Sequence, residues 1–209
     1  MNVDFKVKVE DVDFKYKLIT GENIVIFKDL NFSMKEGEKI GILGISGSGK
    51  TTFFKLLQKL ISPDKGNISI NGNIRQIYQF PRLVPYLTCS EAINLELSIS
   101  KSKLLAGDLM KVANMTESIN SLILQLSEGQ KQKLSLILTL ASNSDIILAD
   151  EPFSRIDKRT CNDLTDFLLK FANLYKITVL MATHNEENLA GFDKVYLIEK
   201  ARFIQTNIT

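Results

Sequence analysis

A chain of 209 residues, 44% of them hydrophobic, with 26 Lys and Arg against 24 Asp and Glu, has the size and composition of one globular unit. The net charge of +2 is too small for the concentrated basic stripe of a nucleic-acid-binding surface, so no nucleic-acid partner is expected. One histidine and two distant cysteines, Cys89 and Cys161, exclude a histidine-rich metal site and a disulfide framework and point to reduced thiols.

In chain order, Val3 to Val9 alternates apolar and polar residues and reads as a strand, where a secretion signal needs an unbroken apolar stretch. No run approaches the roughly 18 apolar residues of a membrane span. Leu134 to Ala141 is short and interrupted by Ser135 and Thr139, so a membrane role would run through a partner. Lys39 to Leu43 is a short apolar strand feeding a glycine-rich loop, and Thr51 to Ile61 places Phe53, Phe54, Leu56, Leu57 and Leu60 at helical spacing. After Pro63-Asp64-Lys65-Gly66, two short strands are expected, Asn67 to Ile70 and Ile74 to Tyr78, with a tight-turn signal between them at Asn71-Gly72. Ser90 to Gln125 is rich in Leu, Ser and Lys and predicts a small helical lobe, inserted over about residues 82–128. The last third alternates: a helix from Ser127 to Ala141, a strand from Asp145 to Ala149, a helix from Lys158 to Leu174 and a strand from Ile177 to Ala182. Such alternation predicts an α/β fold with a mainly parallel sheet covered by helices, and ligands bind such sheets at the carboxyl ends of their strands. With no repeat or linker, residues 1–209 are expected to form a single domain.

The loop Gly44-Ile45-Ser46-Gly47-Ser48-Gly49-Lys50-Thr51 carries the first chemistry. Its glycines let backbone amides turn inward around an anion at a helix N-terminus. Lys50 can then reach the β and γ phosphates of a nucleotide, and the Thr51 hydroxyl can ligate Mg²⁺. The apolar run Ile146 to Ala149 ends in Asp150-Glu151-Pro152. Beside the phosphate loop, Asp150 is the expected Mg²⁺ residue and Glu151 the expected general base for an attacking water. Ser127, with Gln130 three residues on, forms a capping box, and the helix start it makes is also an anion site.

In this order the motifs resemble those of the ATP-binding cassette (ABC) ATPases, specifically the nucleotide-binding subunit of an ABC transporter. Tyr78-Gln79-Phe80-Pro81 is similar to the glutamine loop, Leu126-Ser127-Glu128-Gly129-Gln130 to the signature, Ser154-Arg155-Ile156-Asp157 to the loop that follows, and Thr183-His184 to the switch histidine. The resemblance spans nearly the whole chain. It implies a P-loop NTPase core with a small antiparallel β lobe and an inserted helical lobe. It further implies ATP held by Tyr16, Gly44, Ser46, Gly47, Ser48, Gly49, Lys50, Thr51 and Thr52, and Mg²⁺ by Thr51, Gln79 and Asp150. Catalysis would fall to Glu151, His184, Lys50 and Gln79. Ser127, Gly129 and Gln130 would face the γ phosphate held by a second copy, with Asp157 in the dimer loop. The implied partners are a second ATPase subunit, in a homodimer, and an integral membrane permease, with the chain peripheral on the cytoplasmic face of the membrane.

Core packing accounts for Tyr16 as well as adenine stacking does, because Phe14 and Tyr16 alternate on one strand. The sequence departs from the family pattern at Glu128, where glycine is usual, and at Lys133, which stands for an arginine; the carboxylate of Glu128 near a triphosphate would oppose a closed dimer. The stretch between Gly66 and Gln79 is short for the family, implying a trimmed antiparallel lobe. The competing readings are a non-transport cassette of the cell-division or cluster-assembly scaffold type, and a module that holds ATP with little hydrolysis. Pro81 to Thr88 resembles loops of both importers and exporters and does not decide direction or cargo.

Overall fold

The computed structural model describes residues 5–102, 104–154 and 156–206, so Val3 and Asp4 of the predicted first strand, and Arg155, lie outside the described residues. Two 13-residue strands, β1 (Phe5–Lys17) and β2 (Asn23–Lys35), pair antiparallel, and β4 (Lys65–Ile70) pairs antiparallel with β1 on its other edge. Alternate residues of β1, Val7 and Val9, then Val12 and Phe14 after a register shift, are buried, the pattern of a sheet with one face on a core.

The second sheet holds β3 (Lys39–Leu43), β5 (Ile74–Tyr78), β6 (Ile146–Asp150), β7 (Thr178–Thr183), β8 (Lys194–Glu199) and β9 (Arg202–Thr206) in the order β5-β6-β7-β3-β8-β9. Its first five strands run parallel, the mainly parallel sheet that the alternating pattern predicts, and β9 closes one edge antiparallel; neither β8 nor β9 was among the expected strands. Period-2 alternation divides β6 and β7 between two cores. Ile146, Leu148, Leu180 and Ala182 join the aromatic cluster of Phe27, Phe32, Phe53 and Phe54, whereas Ile147, Ala149, Val179 and Met181 join the helical one. The aromatic side includes α1 (Lys50–Leu57), and the other side is built by α2 (Cys89–Ser100), α3 (Ala106–Val112), α4 (Glu128–Ala141) and α5 (Lys158–Tyr175). Among the described residues no helix is long and apolar enough to cross a membrane.

Two local expectations are corrected. Helix α1 ends at Leu57 rather than reaching Ile61: Lys59 turns left-handed at φ 57° and Leu60 is exposed, so its hydrophobic spacing did not mark a buried face. The tight-turn signal at Asn71-Gly72 does not fold β4 and β5 onto each other. Instead, the segment carries the chain from the antiparallel sheet to the edge of the parallel one. Asp145 anchors that crossing, its carboxylate accepting a 2.9 Å bond from the Asn73 amide and lying 3.4 Å from the Lys6 ammonium.

Gly72 makes this crossing at φ 129°, and a Cβ there would lie 2.6 Å from the Asp145 Cβ. Gly72→Ala is therefore expected to cost about 1 to 3 kcal/mol of stability, lowering Tm by roughly 2 to 10 °C. A thermal melt within a degree of the parent would show that the crossing is not held this way.

Candidate active site

The register of the parallel sheet brings four strand ends together: Tyr78 stands opposite Asp150, Asp150 opposite Ala182, and Leu43 opposite Thr183. The chains leaving those ends stay tied. The Glu151 amide donates to the Ala182 carbonyl at 2.9 Å, and the Gly44 amide donates to the Thr183 carbonyl at 3.2 Å.

After β3 the loop 44–49 turns into α1. Gly49 caps the helix at φ 108°, and a Cβ there would sit 2.8 Å from Cγ2 of Ile26 and 3.1 Å from Cζ of Phe27, so both conformation and packing demand glycine. No side chain caps α1 and no acidic residue stands in its first turn, which leaves its leading amides and its positive end available to an anion. The nearly buried Lys50 side chain folds back over the loop, donating to the carbonyls of Gly44 at 2.5 Å and Ile45 at 3.1 Å.

Lys50 Nζ also lies 3.4 Å from Oε1 of Glu151, whose Oε2 is 2.8 Å from Nδ1 of His184. Glu151 holds this bridging place at φ 48°, a left-handed conformation disfavoured for a residue with a side chain and typical of positions fixed by their surroundings. Next to it, the Thr51 hydroxyl donates to Oδ2 of Asp150 at 2.8 Å. The Gln79 amide donates to the Ser154 hydroxyl at 2.9 Å, and that hydroxyl donates to the Glu151 carbonyl at 3.2 Å.

These groups surround a cleft of about 770 Å³, which fits a small organic ligand. Tyr16, Ser46, Gly47, Gly49, Lys50, Thr51, Thr52, Gln79, Asp150, Glu151 and His184 all line it. Gly44 and Ser48 belong to the loop but do not line the cleft; among the described residues the Ser48 hydroxyl is buried without a partner, and Gly44 supplies the carbonyl that holds Lys50. Phe14 is buried in the core, while Tyr16 packs edge-on against it at 5.0 Å, half-exposed, its hydroxyl 3.4 Å from that of Thr52. The strand therefore separates the two aromatic roles: Phe14 packs and Tyr16 faces the cleft.

Ser127, Gly129, Gln130 and Asp157 do not line this cleft. Ser127 caps α4 through the expected box, its hydroxyl accepting from the Gln130 amide at 3.3 Å and its amide donating to the Gln130 side chain at 2.9 Å. Asp157 caps α5 by accepting from the Thr160 amide at 2.9 Å, and the bonds from Thr160 hold its exposed carboxyl below the usual range. Gly129 faces Thr160, so the two helix starts are neighbours.

Three cleft residues were missed as site residues: Ile26, Ile45 and Ser154. Ile45 carried a signal, an apolar residue stranded in a glycine loop, and Ser154 opened the loop likened to the family's; Ile26 carried none, since its placement depends on β2.

Thr51, Asp150 and Gln79 offer only oxygen donors with a single carboxylate among them, which fits Mg²⁺, an ion that keeps water and takes further ligands from phosphate. Lys50 and the uncapped start of α1 fit a polyphosphate.

A phosphate-type loop opening α1, a histidine after the neighbouring buried strand β7 and an acidic pair at the end of the next strand, β6, define the site of a P-loop ATPase. The ABC transporter family model matches residues 27–154. An aliphatic sulfonates import ATP-binding protein of Pseudomonas syringae pv. tomato is 31% identical over 190 residues, covering 90% of this chain and 81% of that protein. A lipoprotein-releasing system ATP-binding protein of Francisella tularensis subsp. holarctica is 28% identical over 216 residues, covering 92% of this chain and 93% of the relative. Among solved structures, a dimeric ATP-binding cassette in a post-hydrolysis state bound to ADP and Pi matches with a TM-score of 0.82 at 26% identity, covering 97% of this chain and 99% of the other. The chain belongs to the ABC transporter family of ATP-binding proteins, and it is an ATP-binding, ATP-hydrolysing subunit of that kind of transporter. The scaffold-type alternative is not favoured.

Burial pushes the Asp150 carboxyl above the ordinary carboxylate range; the Thr51 hydroxyl pulls it down, the Glu151 carboxylate pushes it up, and Lys50 and Lys55 pull it down. A carboxyl raised by folding binds its proton more tightly in the folded state. Its contribution to stability is then full below the unfolded carboxylate pKa and is lost as pH rises through the higher folded value. Asp150→Asn keeps an acceptor for Thr51 but never ionises. Without nucleotide or metal it is expected to melt above the parent at neutral pH, with the gap closing in acid. Melting curves across pH test this, and a gap independent of pH would remove burial as the cause.

Proposed function

We propose that the cleft binds ATP with Mg²⁺ and hydrolyses it between two copies of this chain, driving substrate movement through a separate integral membrane permease. The observation that carries this is Glu151 bridged between Lys50 and His184, with the Thr51–Asp150 pair beside it, at adjacent ends of parallel strands. In this reading the adenine lies against Tyr16, beside Thr52, and the loop Gly44, Ser46, Gly47, Ser48 and Gly49 wraps the phosphates. Lys50 exchanges the carbonyls of Gly44 and Ile45 for β and γ phosphate oxygens.

Thr51, Asp150 and Gln79 would hold Mg²⁺, which when bound neutralises charge on the phosphate oxygens. Glu151 orients a water and takes its proton as the water oxygen bonds to the γ phosphorus and the bond to the bridging oxygen breaks. His184 donates a hydrogen bond to the γ phosphate. Ser127, Gly129 and Gln130 at the start of α4 close the site of the other copy, with Asp157 at the contact. The absence of these four from their own cleft, and the dimeric form of a matching cassette, support this reading.

The chain would then lie on the cytoplasmic face of the membrane, bound through the permease. The relatives' names differ in cargo, sulfonates in one and lipoproteins in another, so cargo choice falls to the permease rather than to this chain.

Glu151→Gln keeps an acceptor for His184 but no longer takes a proton. Turnover is expected to fall by about a hundredfold or more. Light scattering at saturating ATP and Mg²⁺ should show the variant as a dimer. A variant that stays monomeric there, or that turns over at the parental rate, would sink the two-copy mechanism.

A further inference from the structure

Helix α4 buries one stripe at residues 132, 136 and 140, and two of the three are leucine. The third is Gln132, only 3% exposed. Its Nε2 lies 3.2 Å from the carbonyl oxygen of Tyr78, 3.4 Å from that of Gln79, and is bonded to that of Pro152. Among the described residues its Oε1 is buried without a partner. Rotating the amide would turn that oxygen against three carbonyl oxygens, so the donor side is held toward them.

An apolar side chain of the same length would fill this space without burying an unpaired oxygen, but it could not donate. The donor therefore accounts for a glutamine here, and it acts on two backbones that each carry a site residue. Gln79 contributes one of the carbonyls itself, and Pro152 directly follows Glu151. The same helix begins at Ser127 and Gly129.

We propose that Gln132 is a positioning residue: its amide couples the start of α4 to the placement of Gln79 and Glu151, so that docking at Ser127 is felt at the hydrolytic groups. This rests on the roles given above to Gln79, Glu151 and Ser127. None of the hydrogen bonds of the Gln132 amide reaches the loop 44–49 or α1, so its effect falls on turnover rather than on the grip on nucleotide.

The test uses the full chain with ATP and Mg²⁺. Gln132→Met keeps length and apolar fill but loses the donor. Its ATP dissociation constant is expected to stay within about twofold of the parent. Its kcat is expected to fall by about tenfold to a hundredfold, the scale of a misplaced catalytic group. Gln132→Asn keeps an amide on a shorter side chain and is a poorer helix former than methionine, so it should be the less stable variant. If the role is positional, Asn nonetheless retains more turnover than Met; if it is structural, turnover follows stability and Met is the better. Met matching or exceeding Asn, a kcat of Met within about twofold of the parent, or a parallel loss of ATP binding each overturns the proposal. Should Met not fold, the Asn variant decides: a lowered kcat with ATP binding retained supports the coupling, and any other pattern overturns it. Glu151→Gln is the control. If it abolishes turnover while Gln132→Met does not, only the coupling falls; if it leaves turnover intact, the assignment of the site itself falls.

Discussion

The in-register parallel pairing of β5, β6, β7 and β3 is the constraint on which the site depends. It sets Tyr78, Asp150 and Ala182 at one level and Thr183 and Leu43 one residue further on, so the segments carrying Gln79, Glu151, His184 and the glycine loop emerge side by side. A parallel ladder holds this alignment because β6 and β7 are buried on both faces. Slipping one strand by a residue would exchange Leu148 and Leu180 with Ile147 and Val179 between the two cores. Register is thus set by hydrophobic packing well away from the cleft, and the polar groups inherit it.

Much of this was legible because the informative features are local. Short apolar runs ending in Asp150-Glu151 and Thr183-His184, and glycines leading into Lys50, each report strand, loop or helix start within a few residues, and β3, β5, β6, β7, α4 and α5 fall within a residue of the limits read for them. What could not be read was tertiary. Asn71-Gly72 has the composition of a hairpin turn, yet β4 and β5 join different sheets, a choice made by the free edges of β1 and β6 and by the Asp145 carboxylate. Leu60 continued the spacing of α1 past the point where Lys59 breaks the helix. Gln132 drew no notice because its importance lies in carbonyls more than 50 positions earlier and 20 positions later in the chain.

The Lys50–Glu151–His184 arrangement shows how the cleft keeps its charges without nucleotide. A nearly buried ammonium needs compensation, and it has two carbonyls and a carboxylate. All three are replaceable partners. An entering phosphate can take over the ammonium, and in the proposed mechanism the carboxylate so released takes the proton of the attacking water. From its left-handed backbone conformation Glu151 places that carboxylate between Lys50 and His184.

The departures at α4 follow the same economy of charge. Glu128 would repel a triphosphate brought to the helix start, but the Lys131 ammonium lies 2.8 Å from its carboxylate, one turn along the same face. The carboxylate also stands in the first turn of α4, where the positive end of the helix favours it. Glu128 is largely exposed, so the pair is screened by salt and does not lock the side chain in place. Lys133 does not compensate from the other side, since it lines a groove with Asp163 and Asp166 of α5 and is turned away from the cleft. The Glu128 carboxylate is thus partly offset by Lys131, and in the proposed dimer the Ser127 hydroxyl and the Gly129 amide remain the groups offered to an anion.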